Sequence, residues 1–298
     1  AVRELDYQPN ITARSLASPV LRTVGILFRR QRSTIDANDL GYVGGVRRAL
    51  EPSGIQVVIP IVKSQAPLIE LRALVRSGSL GGVILMDVAQ GDEREKMLLK
   101  EGIPTVLIGT SGLSGGSPGV DTDFAQMAHA AVSHLAGLGH RRVVALMRET
   151  SQDDSHARQD QARELLRAAG ALAVDVLVRQ VPELALAGGD IVGADGLVDG
   201  RTAVISNNPA ALVGLACAVQ AHGLSIPADL SVLTLGVTEY RGRQGEAFSE
   251  LSVDREAMGA AVGSLLLARL RGEPVPAERS TLMSAVLSDR GSTARCRS

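Results

Sequence analysis

The sequence predicts an α/β fold made of two lobes, each built on a doubly wound parallel sheet. Short, continuous apolar runs bounded by Gly or Pro recur along the chain, and such runs are typical of strands buried on both faces. Helical stretches separate the runs, and this alternation implies parallel strands joined by right-handed crossovers. With 298 residues, of which 45% are apolar, the chain is long enough for two hydrophobic cores.

The predicted elements follow one another in a regular order. The strands are Thr23–Phe28, Gln56–Val62, Gly82–Met86, Thr105–Ile108, Arg142–Met147, Val174–Arg179, Thr202–Ser206 and Ser231–Leu235. The helices fall near residues 40–52, 67–77, 92–101, 124–138, 156–169, 209–222 and 255–271. A glycine- and serine-rich break at 109–119, with further crossings near 248–254 and 274–279, divides the chain. The predicted lobes are 21–121 plus 250–275, and 122–249 plus 276–298, after a separate segment 1–20.

A short helix is predicted within that first segment. Asn10 is a good N-cap, Pro9 biases the residue before it away from helical conformation, and Ser18-Pro19 ends the helix after Ala17. A helix this short is marginal alone in water, so we expect it to form only when a partner holds it. Residues 1–32 carry six arginines and two acidic residues, although the net charge of the chain is −1. Contact with nucleic acid is therefore expected at this end rather than over the whole surface.

Composition argues against several other classes of protein. Cys217 and Cys296 are too few and too far apart for a disulfide framework. No signal-peptide pattern and no apolar run of membrane-spanning length occurs, which predicts a cytoplasmic location. His129 and His134 stand off one another's helical face, and no Cys or carboxylate joins them at ligand spacing. No metal site is therefore predicted.

The sequence contains no convincing catalytic motif. Gly112-Leu113-Ser114-Gly115-Gly116 matches the G-x-S-x-G pattern of a nucleophile elbow, which requires a strand, a sharp turn and a helix. Here the pattern lies in a loop already rich in Gly and Ser and is followed by Ser117-Pro118, so a chance match is favoured. No glycine-rich phosphate loop follows a strand in the required register. We predict that the protein is not an enzyme and uses no cofactor.

An arginine cluster, Phe28-Arg29-Arg30-Gln31-Arg32, directly follows the first predicted strand. Such clusters are most often solvated at a surface, and that interpretation stays open. The alternative is an anion site, because guanidinium groups bind phosphate or carboxylate in a bidentate manner.

The N-terminal segment resembles a known hinge. Leu5-x-Tyr7-x-Pro9-Asn10, followed by Ala13-Arg14-Ser15-Leu16-Ala17, a polar linker and a strand, is similar to the hinge of LacI/GalR-family transcription regulators. The resemblance implies a helix-turn-helix headpiece ahead of residue 1 and paired hinge helices in the operator minor groove. Leu16 matches the leucine that wedges between base pairs and kinks the duplex. The residues expected at operator DNA are Tyr7, Asn10, Ala13, Arg14 and Leu16.

Further motifs at the family's spacing continue through the chain. They are Gly102-Ile103-Pro104, His134–His140, Gly223–Pro227 ahead of Ser231-Val232, and Arg290–Thr293. The resemblance implies a periplasmic-binding-protein-like core of type I, with two lobes and a small-molecule effector in the cleft between them. It also implies a homodimer, so that two headpieces read two half-sites of operator DNA.

The resemblance also identifies candidate effector contacts. The family holds a sugar with an arginine, an asparagine and two carboxylates. Arg158 matches the arginine and Asn208 the asparagine, with Asn207 one register away, whereas the carboxylate positions are Gly109 and Gly236. The predicted effector contacts are Arg29, Asn38, Asp39, Arg158, Asn208 and Phe248.

Loss of both carboxylates predicts an effector that is anionic rather than a neutral sugar, because sugar hydroxyls would lose their acceptors. A site that has lost its ligand is the competing interpretation. The sequence as a whole predicts an effector-responsive, DNA-binding transcription regulator, most simply a repressor. A stand-alone solute-binding protein with the same core is the alternative, and the hinge motif argues against it.

Overall fold

The computed structural model describes residues 23–29, 37–60, 67–149, 156–182, 187–193, 196–197, 200–236, 247–275 and 280–297. The chain divides into two compact units. Each unit contains a six-stranded, mostly parallel sheet with helices packed against it. This architecture confirms the predicted α/β fold of two parallel-sheet lobes.

Unit 1 takes in Asp39–Val120, Arg255–Thr281 and strand β1 (Thr23–Leu27). Its other strands are β2 (Gln56–Val58), β3 (Gly82–Leu85), β4 (Thr105–Ile108), β5 (Gly119–Thr122) and β13 (Ser280–Met283). The sheet has the spatial order β13-β5-β4-β3-β1-β2. Its helices are α1 (Ala37–Leu50), α2 (Pro67–Arg76), α3 (Glu93–Lys100) and α7 (Arg255–Leu270), and a 3-10 turn at Glu51–Ser53 follows α1.

Unit 2 takes in Asp121–Asp254 and Leu282–Ser298. Its strands are β6 (Arg142–Arg148), β7 (Asp175–Val181), β10 (Ala203–Ser206), β11 (Ser231–Leu235), β12 (Ser249–Ser252) and β14 (Val286–Ser288), in the order β14-β12-β11-β10-β6-β7. Its helices are α4 (Phe124–Gly137), α5 (His156–Ala171) and α6 (Pro209–Ala221), with a 3-10 turn at Ala187–Ile191. A small antiparallel pair is formed by β8 (Val192–Gly193) and β9 (Gly196–Leu197).

Both sheets share one connectivity, in which the first strand lies between the second and the third. In unit 1, β1 is flanked by β2 and β3, and in unit 2, β6 is flanked by β7 and β10. The position where successive strands lie on opposite sides of the first is a topological switch point. Open α/β sheets bind ligands there, beyond the carboxyl ends of the strands. The switch points are β1/β3 in unit 1 and β6/β10 in unit 2.

The structure differs from the prediction at the short strands. β4 and β11 have the predicted bounds, and the other predicted elements are present with ends that differ by a few residues. The prediction lacks β5, β12, β13 and β14, which are short and carry polar residues that weaken any strand pattern. It also lacks β8 and β9, which have two residues each. The chain changes unit after Val120, Asp254 and Thr281, against predicted crossings after residues 121, 249 and 275. Strand β12, which lies in the stretch 248–254 predicted as a crossing, is part of the unit 2 sheet.

Helices α1 and α7 pack backbone against backbone. A Cβ atom on Gly45 would lie 2.0 Å from the Glu256 carbonyl oxygen, and one on Gly259 would lie 2.1 Å from the Tyr42 carbonyl oxygen. Arg255 adds to the contact, since its guanidinium carbon lies 5.7 Å from the Tyr42 ring centroid. Only glycine permits an approach this close, and it fixes α7 on α1.

Residues 292–296 cover the amino edge of the unit 2 sheet. The Val232 N–H donates to the Ser292 carbonyl oxygen (2.8 Å), and the Ala294 N–H donates to the Ser231 hydroxyl (2.9 Å). The Cys296 N–H donates to the carbonyl oxygen of Leu138 (2.8 Å). This segment therefore extends the hydrogen bonding of the sheet edge beyond its regular strands.

Two histidines lie under this segment. His140 is 2% exposed, with Nδ1 2.7 Å from the Thr202 hydroxyl and Nε2 3.0 Å from the Ala294 carbonyl oxygen. Burial lowers the pKa of His140, and the hydrogen bond to Ala294 opposes that shift only in part. Burial also lowers the pKa of His134, whose Nε2 lies 2.9 Å from the Thr293 hydroxyl.

Candidate functional site

The candidate site of unit 1 is its switch point, at the carboxyl ends of β1 and β3. Leu27 of β1 pairs with Leu85 of β3, so Arg29 and Asp87 each stand two positions beyond the last pair. Asp87 has a φ of 51°, a left-handed conformation that aspartate tolerates better than most residues. Among the residues that the structure describes, no hydrogen bond or ion pair joins Arg29 to Asp87.

The Arg29 side chain is partly exposed, but its Nη1 atom is buried and has no hydrogen-bond partner within the described residues. Buried polar atoms are nearly always hydrogen-bonded, and a guanidinium carries five N–H donors. Arg29 therefore presents an unused donor at an edge where ligand binding is expected.

A second arginine at this edge is fully occupied by the protein. Arg94 donates from Nη2 to the carbonyl oxygens of Met86 (2.9 Å) and Asp87 (3.3 Å), and from Nη1 to that of Leu27 (3.3 Å). It also forms an ion pair with Asp92 (2.8 Å), the N-cap of α3. Burial alone would raise the pKa of Asp92, but the hydrogen bond and charge of Arg94 outweigh burial and lower that pKa. Arg94 therefore connects β1 to β3 through hydrogen bonds, and its positive charge is paired with the carboxylate of Asp92.

The switch point of unit 2 has an arginine at the same position. Leu146 of β6 pairs with Ser206 of β10, so Arg148 stands two positions beyond the pair, as Arg29 does in unit 1. The Arg148 backbone N–H donates to Asn207 Oδ1 (2.8 Å), and Asn207 Nδ2 donates to Gln161 Oε1 (2.6 Å). The half-buried Asn207 amide thus connects the ends of β6 and β10 to helix α5.

Asn208, the predicted effector-binding asparagine, has a structural role. It is 0% exposed and caps α6, where its Oδ1 accepts from the N–H groups of Ala210 (3.1 Å) and Ala211 (3.2 Å). Its Nδ2 donates to the Pro182 carbonyl oxygen (3.1 Å). Of the two asparagines, Asn207 is the one with a partly exposed side chain, and the assignment of the effector-binding asparagine stays a prediction.

Phe248, another predicted effector contact, lies in a hydrophobic core. Its side chain is 8% exposed and belongs to the apolar core of unit 2, together with Val144, Leu146 and Val232. Burial of the ring stabilises the sheet and leaves little of it for a ligand.

The remaining predicted residues are only partly covered by the structure. Asp39 is half-buried in the first turn of α1. Asn38 and Arg158 lie in α1 and α5, but their side chains are outside the described residues. The predicted DNA contacts Tyr7, Asn10, Ala13, Arg14 and Leu16 all precede the described residues.

The two glycines at the expected carboxylate positions occupy equivalent places. Gly109 follows β4 with a φ of 109°, and Gly236 follows β11 with a φ of 97°. Each donates its N–H to the neighbouring strand, Gly109 to Val120 and Gly236 to Leu251. Because L side chains rarely adopt such φ values, this backbone favours glycine over aspartate at both positions.

The serine of the G-x-S-x-G match does not lie in a nucleophile elbow. Ser114 is exposed in a loop that leads to strand β5 rather than to a helix. The loop is held by Glu95, a fully buried residue whose Oε1 accepts the Ser117 N–H (2.6 Å). No cluster of metal-ligating side chains occurs in the described part of the chain. None of the helices described is long and apolar enough to cross a membrane.

Sequence reasoning missed Asp87, Arg148 and the role of Asn207. A usable signal exists for the two charged residues, because each stands just beyond a continuous apolar run that ends at the ligand-binding edge. The sequence also contains a signal for the roles of the two asparagines. An asparagine directly before proline is typical of a helix start, which predicts that Asn208 is the N-cap and that Asn207 precedes the helix.

Comparison with known proteins agrees with this fold. A family model described as a periplasmic binding protein-like domain matches residues 132–293. The chain is 26% identical to the HTH-type transcriptional regulator CelR of Thermobifida fusca over 299 residues, covering 95% of this chain and 84% of CelR. A LacI family transcriptional regulator from Bifidobacterium animalis subsp. lactis superposes with a TM-score of 0.80 at 17% identity, covering 93% of this chain and 100% of that one.

A solved complex of the regulator CelR with cellobiose has a TM-score of 0.76 at 21% identity, covering 94% of this chain and 88% of that one. The family match spans more than half of the chain, and the relatives extend it over nearly the whole length. The chain therefore belongs to the periplasmic binding protein-like domain family, and over nearly its whole length it is similar to LacI-type transcriptional regulators.

Proposed function

We propose that this chain is the regulatory core of an operator-binding repressor whose DNA affinity is set by a small-molecule effector. The observation that carries the proposal is the pair of switch points, each with an arginine two positions beyond the last residue pair between the first and third strands of its sheet. Switch points bind ligands in open α/β sheets, and the similar core of CelR has been solved with cellobiose. The proposed effector contacts are Arg29, Asn38, Asp39, Arg158 and Asn207, with Asn207 in place of Asn208.

Operator contact is proposed for the hinge-like segment. Leu16 would insert between base pairs of the minor groove, and Arg14 would neutralise a phosphate. The proposal includes a symmetric homodimer, because two headpieces on a two-fold axis match two half-sites of a near-palindromic operator. Effector and operator are then linked: a ligand that binds one conformation of the core better shifts the population of dimers able to bind DNA.

The test uses the protein with its natural upstream sequence. Selection from random duplexes identifies the operator, and a gel-shift titration near physiological salt measures affinity. We expect Leu16→Ala to weaken operator binding by about tenfold or more, because a methyl group cannot replace the wedge. Arg14→Ala should instead reduce the slope of log affinity against log salt by about one.

Each outcome bears on a different part of the proposal. If the wild-type protein selects no duplex sequence, the regulatory function is wrong. If Leu16→Ala binds the selected operator as tightly as wild type, the wedge is assigned to the wrong residue. Sedimentation of both variants as wild-type dimers would exclude a trivial loss of assembly.

A further inference from the structure

We propose that the ligand of this core carries a phosphate or carboxylate group, and that Arg29 binds this anion at the unit 1 switch point. The ligand class deepens the proposed function and rests on it. The binding itself is a property of the chain alone and can be measured without DNA.

Arg29 lies at the ligand-binding edge expected for the unit 1 sheet. It follows the central strand β1, two residues beyond the pairing of Leu27 with Leu85, at the switch point of a sheet with the order 2-1-3-4-5. Sheets of this order bind ligands at the crevice between the carboxyl ends of the first and third strands. The guanidinium therefore belongs to the edge of the unit where a ligand is expected.

In the described part of the chain, the Arg29 guanidinium has an unpaired hydrogen-bond donor. Nη1 is buried and has no hydrogen-bond partner within the described residues, although the side chain as a whole is partly exposed. A buried, unpaired donor on a charged group is unfavourable, and an anion would relieve it with a charge-assisted hydrogen bond. A guanidinium can bind phosphate or carboxylate through two parallel hydrogen bonds.

The charged residues described near Arg29 do not pair with it. Arg94, a second arginine at this edge, forms an ion pair with Asp92 and donates hydrogen bonds to backbone carbonyl oxygens. Glu95 accepts the backbone N–H of Ser117. Asp87, across the switch point, makes no ion pair with Arg29 in the described part of the chain. Within the described residues the charge of Arg29 thus has no ion-pair partner, and the anionic group of a ligand could supply one.

The position after β4 lacks a carboxylate that could accept hydrogen bonds from a neutral sugar. The backbone at Gly109, which follows β4 of the same sheet, has the positive φ that favours glycine, so this position does not supply a carboxylate. An anionic ligand needs donors more than acceptors, and the edge offers Arg29 as a donor. A ligand that presents a phosphate or carboxylate group to Arg29, rather than hydroxyl groups alone, fits this balance.

Thermal unfolding of the purified chain tests the proposal with matched probes. The probes are inorganic phosphate, then glucose beside glucose 6-phosphate and gluconate. We expect an anionic probe to raise the Tm of wild type by about 2–4 °C at saturation, with glucose having less effect. Arg29→Ala should lose most of this rise, and Arg29→Lys should keep part of it, because lysine retains the charge without the planar fork.

Two controls keep the result specific. Arg271→Ala removes an exposed arginine of the same unit and should respond to the probes as wild type does. Phosphate also stabilises proteins generally by exclusion from their surface, so only the difference between wild type and Arg29→Ala is counted. Circular dichroism and the Tm without ligand check that each variant is folded.

The proposal is overturned if no anionic probe stabilises wild type, if glucose alone does, or if Arg29→Ala responds to the anions as wild type does. None of these results affects operator selection by the full protein. Conversely, a protein that binds anions through Arg29 but selects no DNA would overturn the proposed function and leave the anion site standing.

Discussion

At the scale of single residues, the location of the adjacent asparagines Asn207 and Asn208 is predictable from the sequence motif, whereas their separate roles are not. The sequence motif locates the dipeptide at the end of a strand, and the structure confirms that location. The motif cannot divide the roles between the two residues, because that depends on where the first turn of α6 begins. The buried cap at Asn208 and the half-buried bridge at Asn207 follow from the packing of α6 against the end of β7.

Asn208→Ala should lower the free energy of unfolding by about 2 kcal/mol, as measured by urea denaturation. The change removes the acceptor for two N–H groups of α6 and leaves the Pro182 carbonyl oxygen without its donor. Asn208→Asp keeps the capping oxygen at a helix N-terminus and should lose less than half as much. Equal urea midpoints for Asn208→Ala and wild type would contradict the structural role assigned to this residue.

At the scale of elements, long apolar runs were predictable and short polar strands were not. β4 and β11 could be delimited from sequence because continuous apolar residues end abruptly at Gly or a polar residue. β13 and β14 carry exposed side chains, and they are strands because neighbouring strands supply their hydrogen bonds. The close approach of α1 to α7 was equally hidden, because the glycines of α1 and α7 meet across a long sequence separation.

Gly45→Ala should destabilise the protein by about 3 kcal/mol or more, because its new methyl group would overlap the backbone of α7. Gly44→Ala is the matched control. Its methyl group would meet nothing closer than Glu256 Oε1 at 3.9 Å, so a change of less than about 1 kcal/mol, in the stabilising direction, is expected. Thermal unfolding monitored by circular dichroism separates the two variants. Equal destabilisation of both would show that α1 and α7 do not pack as described.

At the scale of the whole molecule, stability should depend on pH through the two histidines beneath residues 292–296. Burial lowers the pKa of His134 and His140 in the folded state. As the pH falls below about 6.5, the unfolded chain therefore takes up protons that the folded chain does not. Each histidine then lowers the free energy of unfolding by at most about 1.4 kcal/mol per pH unit. The carboxyl groups of Asp92, Asp229 and Asp289 have lowered pKa values, so their stabilising contributions are lost only in more acidic solution.

We accordingly expect the free energy of unfolding to be flat from pH 8 to about 6.5 and to decrease between about pH 6.5 and 5. His140→Gln should be less stable at pH 8, because it loses hydrogen bonds to Thr202 and Ala294, and its stability should vary less with pH. His222→Gln changes an exposed histidine and serves as the control with a wild-type profile. Urea titrations at each pH provide the measurement. A profile for His140→Gln as steep as that of wild type would show that His140 is not a source of the slope.

The late positions of α7, β13 and residues 292–296 have a consequence for synthesis on the ribosome. Helix α7 packs against the unit 1 sheet and β13 is one of its strands, while residues 282–297 complete the unit 2 sheet. A nascent chain that has emerged only as far as Asp254 cannot complete either unit. Both cores must therefore wait, with apolar strands exposed, until residues 255–297 have also emerged. Premature termination in this region would release two unfinished cores at once, a substrate for chaperones and proteases rather than one intact domain.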